Sequence, residues 1–156
     1  MRIRIVCIGE SKLSYLKAGE QDFVGRLKHY TSVEVKQIRP INHVKSKPQD
    51  QILQEEASLI LNKLQGSSLN VALDSQGRMF TSEQLARQIS NWQNQGKRDV
   101  VFIIGGPLGL HKNLLERADL MLSISRMTFT HDMIRLILLE QIYRAYTILK
   151  GEKYHK

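Results

Sequence analysis

The chain has one cysteine, Cys7, among 156 residues, so no internal disulfide can staple it. Its place in the first apolar run marks a buried, inert thiol rather than a nucleophile, which would need exposure and a neighbouring base. No uninterrupted apolar run approaches the roughly 18 residues of a membrane span. The opening Met1-Arg2-Ile3-Arg4-Ile5-Val6-Cys7 interleaves charge with apolar side chains and lacks the long apolar stretch and small-residue cleavage site of a secretion signal. These absences point to a cytoplasmic address. The five histidines are scattered and no His, Cys or Asp set has ligand spacing, so no metal site is expected. No Gly-x-Ser-x-Gly turn is present, which removes serine-hydrolase chemistry. Internal repeats and low-complexity runs are missing too, and the length suits one domain spanning 1–156.

Acidic residues are scarce relative to basic ones, and the formal charge of +8 is uneven. Residues 1–48 hold ten Lys/Arg against four Asp/Glu, a net +6; residues 49–124 hold seven against eight, a net −1; residues 125–156 hold six against three, a net +3. Two basic ends suit RNA or another polyanion, although basic residues also simply solubilise helix faces.

What is present is an alternation. Strand-like runs recur at 2–8, 33–38, 69–73, 99–104 and 120–124, separated by segments whose apolar residues repeat with helical spacing. The first helix carries Leu13, Leu16, Phe23, Val24 and Leu27, the second Ile52, Leu53, Leu59, Ile60 and Leu64, and both stripes suit covering a sheet face. A third opens at Thr81, where Gln84 completes capping-box spacing, and closes near Gly96. A short fourth begins near His111. The last, over 131–150, is apolar on more than one face: burial between sheet and helices would explain that, and so would a subunit interface. The pattern is α/β, an open and mostly parallel sheet with helices on both faces, in which ligands bind beyond the carboxyl ends of the strands.

Three loops lie at those ends. After strand four comes Gly105-Gly106-Pro107-Leu108-Gly109-Leu110, whose glycines allow close backbone approach or a positive φ. Leu110 and His111 stand where a P-loop needs Lys and Ser/Thr, and the first strand is followed by Gly9 alone, without the Gly-x-Gly of dinucleotide binders. After strand three, Asp74-Ser75-Gln76-Gly77-Arg78 reads as a turn. After strand five, hydroxyls, a cation and an imidazole crowd into Ser123-Ile124-Ser125-Arg126-Met127-Thr128-Phe129-Thr130-His131, where Thr130 can cap the last helix and His131 suits a structural hydrogen bond as well as catalysis.

The combination of Gly105-Gly106-Pro107-x-Gly109-Leu110 with Leu122-Ser123-x-Ser125-x-Met127-Thr128-Phe129-x-His131 is followed by Arg135, Glu140-Gln141-x-Tyr143-Arg144-Ala145 and the ending Tyr154-His155-Lys156. This set resembles the RlmH family of the SPOUT superfamily, the ribosomal large-subunit pseudouridine methyltransferases. The resemblance runs the length of the chain. It implies a C-terminal trefoil (α/β) knot, S-adenosylmethionine as cofactor, a homodimer, and N3 of a pseudouridine in large-subunit ribosomal RNA, within the ribosome, as target. Carried over by motif position, cofactor-binding residues are Leu73, Gly105, Ile124, Ser125, Arg126, Met127, Thr128 and Phe129. Arg144, Tyr154 and His155 become the catalytic candidates, and Arg135 and Lys156 the substrate-binding ones. Thr130 stands where the family usually has proline, which exchanges a fixed φ for a capping hydroxyl. The target nitrogen must lose a proton during attack, so a base or anion-stabilising cations are required. Two rival readings are a non-catalytic RNA-binding factor, which would not bind S-adenosylmethionine, and a nucleotide-binding α/β enzyme, which lacks its fingerprint after strand one.

Overall fold

The computed structural model describes residues 1–41, 47–64 and 66–155, with only the backbone of His155. Its elements run β1 (Arg2–Ile8), α1 (Ser14–Leu27), β2 (Ser32–Ile38), α2 (Gln49–Leu61), β3 (Leu69–Met79), α3 (Ser82–Asn94), β4 (Asp99–Ile104), α4 (Lys112–Glu116), β5 (Leu120–Ser123), α5 (His131–Leu149) and a short 3-10 turn, Lys153–His155. The five strands form one sheet in the order β2-β1-β4-β3-β5, and every pairing in it is parallel.

The central strands explain why helices lie on both faces. Side chains alternate with a period of two along a strand, so β1 sends Ile3, Ile5 and Cys7 to one core and Val6 and Ile8 to the other. Likewise β4 divides Val100, Phe102 and Ile104 from Val101 and Ile103. On the first face lie Leu27 of α1, Leu85, Ile89 and Trp92 of α3, and Leu138, Leu139, Ile142, Ala145 and Tyr146 of α5. Ala57 and Ile60 of α2 and Leu114 of α4 cover the second, so the first two helices take opposite faces.

The doubly apolar last helix is accounted for within the chain. Wedged between α1 and α3, α5 buries Leu138, Leu139, Ile142 and Ala145 completely. One stripe of Met133, Ile137, Glu140 and Arg144, at the spacing of a single helix face, stays partly exposed, as do Ile134, Leu136, Gln141, Tyr143 and Ile148 elsewhere on the helix. Among the described residues no helix is long and apolar enough to cross a membrane, and no group of three or more His, Cys, Asp or Glu is placed to hold a metal ion.

Asp74 to Arg78, expected as a turn, instead belong to β3. The strand pairs with β5 through Leu73, breaks register, and pairs again at Arg78 and Met79 opposite Leu122 and Ser123. Gly77 makes the irregular stretch possible: a Cβ there would stand 2.7 Å from the Met121 carbonyl carbon and 2.8 Å from Leu122 backbone atoms. The turn-forming residues are thus those of a bulged strand, a choice that local propensity leaves open.

At the opposite end of the sheet, Arg4 is 1 % exposed and donates from Nε to Asp99 Oδ2 at 2.9 Å and from Nη1 to the Lys63 carbonyl at 2.9 Å, while Arg2 Nε donates to Asp99 Oδ1 at 2.9 Å. Burial alone would raise the Asp99 pKa, but hydrogen bonds and charge from Arg4 and Arg2 outweigh it and hold the carboxyl below its ordinary value. A lowered folded-state pKa contributes stability above the unfolded value, near 3.9, and that contribution is lost as pH falls through the folded one. Asp99→Ala is expected to destabilise the fold by about 3 kcal/mol, since it strands a buried guanidinium. It should also flatten the dependence of urea-unfolding midpoints on pH below about 5, which the parent retains.

Candidate methyl-transfer site

Because β4 and β5 both flank β3, the loops after β4 and β5 lie beside the bulged middle of β3, and the start of α5 returns beside them. They enclose a cavity of about 820 Å³, of a size that holds a nucleoside-sized ligand. Leu73, Gly105, Ile124, Ser125, Met127, Thr128 and Phe129 all line it. Seven of the eight motif-matched cofactor residues are therefore gathered into one concavity from β3 and the loops after β4 and β5. Arg126 is the exception among the lining. It turns away and donates from Nη1 to the Ser75 carbonyl at 2.6 Å, fastening the segment after β5 to the bulged strand.

Each loop is shaped locally. Gly109 has φ +84°, and its N–H donates to the Gly106 carbonyl at 2.9 Å, which closes the turn after β4. A Cβ on Gly105 would lie 2.3 Å from the Gly109 carbonyl oxygen and 2.5 Å from its carbon, so glycine is required by the turn folding back upon itself. Close approach by a ligand is not needed to explain it. Ser125 Oγ accepts the Met127 N–H at 3.0 Å, and Ser123 Oγ donates to the Ser125 carbonyl at 3.0 Å, so the hydroxyls fold the last loop. Thr130 Oγ1 caps α5 by accepting the Met133 N–H at 3.3 Å. At the rim, Met127 is 74 % and Phe129 43 % exposed, apolar area that a monomer would ordinarily cover.

The catalytic candidates lie elsewhere. Arg144 donates to Glu140 Oε1 from Nε at 2.9 Å and from Nη2 at 2.6 Å, and its guanidinium stacks 4.9 Å from the Tyr154 ring centroid. Tyr154 packs edge-on against Tyr143 at 4.8 Å and its hydroxyl donates to the same Glu140 oxygen at 3.3 Å. Burial first, then the charge and hydrogen bond of Glu140, raise the Tyr154 pKa, so the phenol keeps its proton at neutral pH. The tail is held as well. Gly151, φ +69°, ends α5, and Tyr30 donates to Glu152 at 2.6 Å, a bond that lifts the Tyr30 pKa to about 12.

Along α5, Arg144 stands 13 residues beyond His131 at the cavity, a separation of about 20 Å at 1.5 Å per residue. One chain does not join this cavity to Arg144 and Tyr154. The His155 side chain and Lys156 lie outside the described residues. Arg135, expected to touch substrate, is 0 % exposed and committed to Glu20, Ser11, Asp132 and Gly9. A side chain without accessible surface cannot meet RNA, so that expectation is corrected. Cys7 is buried as expected, and burial, partly countered by Arg135, raises its thiol pKa.

Lys12, Leu13, Asp74, Pro107 and Asp132, none of them among the cofactor candidates, also line the cavity, and Glu140 of the matched motif orients Arg144. Only Glu140 carried a legible signal: its i,i+4 spacing to Arg144 is that of a helical ion pair.

A family described as predicted SPOUT methyltransferase matches residues 1–155. The chain belongs to the SPOUT methyltransferase family. It is similar to a protein named ribosomal RNA large subunit methyltransferase H from Desulfotalea psychrophila, 48% identical over 159 residues, with all of both chains covered. A protein of the same name from Halothermothrix orenii is 44% identical over 159 residues, again with full coverage of each. The SPOUT methyltransferase family implies a methyl-donor cofactor. Apolar Leu73, Ile104, Leu122 and Ile124 offer walls for a flat base, and Asp74, Ser75 and Thr128 offer polar edges.

Proposed function

We propose that this protein uses S-adenosylmethionine to methylate N3 of a pseudouridine in large-subunit ribosomal RNA, acting on the ribosome in the cytoplasm as a homodimer with a knotted C-terminal segment. The observation that carries the reading is the gathering of seven motif-matched residues from β3 and two loops around one cavity, in a chain whose full-length relatives bear the methyltransferase name.

When bound, S-adenosylmethionine supplies a methyl group already activated by a sulfonium. What remains for the protein is alignment of the incoming nitrogen and stabilisation of the charge that grows as its proton leaves. Arg144 suits the second task. Glu140 fixes it from two guanidinium nitrogens, and its partly exposed face is free to meet an anion. Tyr154, protonated and stacked on Arg144, offers its ring to the base while its hydroxyl stays on Glu140.

Dimerisation supplies the missing proximity. The half-exposed stripe of Met133, Ile137, Glu140 and Arg144 runs along α5 from the cavity toward the tail, with Met127 and Phe129 at its near end. Two copies paired antiparallel along such a stripe bring Arg144 and Tyr154 of one to the cavity of the other. The basic ends of the chain suit the RNA backbone around the target. Calorimetry of the purified protein is expected to give saturable binding of S-adenosylmethionine and none of NAD or ATP. Preference for either nucleotide, or no binding of S-adenosylmethionine, would refute the reading.

A further inference from the structure

Beside the cavity lies a cluster built on the buried Arg135. Its guanidinium donates from Nε to Glu20 Oε1 at 3.0 Å, from Nη1 to Cys7 Sγ at 2.9 Å and the Gly9 carbonyl at 3.3 Å, and from Nη2 to Ser11 Oγ at 2.8 Å and Asp132 Oδ1 at 3.3 Å. Ser11 also donates to Glu20. One cation thereby ties the end of β1, the loop behind it, α1 and the first turn of α5. Asp132 carries the connection to the cavity wall. Its Oδ1 also faces His131 Nε2 at 2.8 Å, and its Oδ2 accepts the Lys12 backbone N–H at 3.2 Å. Asp132 is 7 % exposed, and Lys12, Leu13, His131 and Asp132 all line the cavity.

We infer that Asp132 is a positioning residue for methyl transfer, setting the cavity wall formed by Lys12 and Leu13. The inference rests on the methyl-donor reading of the cavity. Residues 9–13 connect β1 to α1, and Leu13 at the N-cap of α1 makes no side-chain cap, so the helix start gives this loop no capping anchor. Asp132 supplies one from across the cavity. A carboxylate at this place faces a guanidinium, an imidazole and a backbone N–H together, and the first turn of α5 favours its charge. Among the described residues, Lys12 is the one Lys or Arg lining the cavity, so the anchor also fixes where a cation meets the anionic part of a ligand.

Three variants separate positioning from charge balance. Asp132→Ala is expected to weaken S-adenosylmethionine binding about tenfold in calorimetry, the effect of losing the hydrogen bond that holds the Lys12 wall, and to abolish exchange protection of the Lys12 amide. Asp132→Asn keeps an oxygen for that amide and should restore most of both. Glu20→Gln removes charge from Arg135 without touching the cavity, and should lower Tm while leaving affinity and Lys12 protection as in the parent. If Asp132 merely neutralised Arg135, Asn would fail as Ala does and Glu20→Gln would match them; that outcome overturns the inference, as does parental binding by Asp132→Ala. Should Asp132→Ala not fold, Lys12 protection in the other two decides: retained in both supports the anchor, lost in Glu20→Gln overturns it. A parent that binds no S-adenosylmethionine would instead refute the methyl-donor reading itself, and this inference with it.

Discussion

Gly105→Ala is expected to weaken S-adenosylmethionine binding on the order of a hundredfold, a loss of about 3 kcal/mol, while leaving a cooperatively folded protein. The cause is one carbon atom. A Cβ at this position would sit 2.3 Å from the Gly109 carbonyl oxygen, and backbone rather than a flexible side chain is what it meets. The turn has to open, and the wall that Gly105, Gly106, Pro107 and Gly109 give to the cavity moves with it. Gly25 supplies the control, because a Cβ there meets nothing within 4 Å and the residue lies inside α1. Gly25→Ala should raise stability by up to about 1 kcal/mol and leave binding unchanged. Calorimetry and thermal unfolding of both variants check the pair, and parental affinity in Gly105→Ala would show that the turn does not shape the pocket.

Arg144→Ala should act oppositely, keeping cofactor affinity while lowering kcat by about 10²- to 10³-fold, the usual loss on removing one aligned stabiliser of developing charge. The variant leaves Glu140 with Tyr154 and Gln141 as partners, so the end of α5 keeps its polar contacts. Since Arg144 lies about 20 Å from the cavity of its own chain, the two defects should complement. Mixing Arg144→Ala with Gly105→Ala and allowing subunits to exchange is expected to restore about a quarter of parental activity, because half the dimers then own one intact composite site. No recovery in a mixture shown to contain heterodimers would place the whole site in a single chain.

Much of this arrangement was legible from residue order. The strands β1 and β4 were found almost to the residue because their apolar runs feed two cores at once, and Thr81 with Gln84 announced the start of α3 by a capping box that forms, at 2.8 and 3.2 Å. The bulge in β3 was hidden. Asp74, Ser75 and Gly77 have turn chemistry in any local view, and only the backbone of β5, a distant segment, makes them strand. The apolar excess of α5 was ambiguous for a related reason: periodicity reports that a face is buried, never whether a neighbouring helix or another chain buries it.

The site was legible only as a motif set. Resemblance located the cavity-lining residues, but it carried Arg135 along with the rest, whose side chain is wholly buried, and it could not show that the Arg126 side chain holds Ser75. A cation counted from sequence can meet RNA, a carbonyl or a buried carboxylate with equal chemistry, and its exposure decides which. Lys12 and Asp132 went unnoticed because their connection spans 120 positions and depends on how the first loop and the last helix meet.

The most direct test of the account follows labelled methyl from S-adenosylmethionine into ribosomes that lack the modification. Incorporation is expected into N3 of a pseudouridine of the large-subunit RNA, to completion, and not into otherwise identical ribosomes whose target uridine was never isomerised. Absence of label in both, or equal label in both, would contradict it.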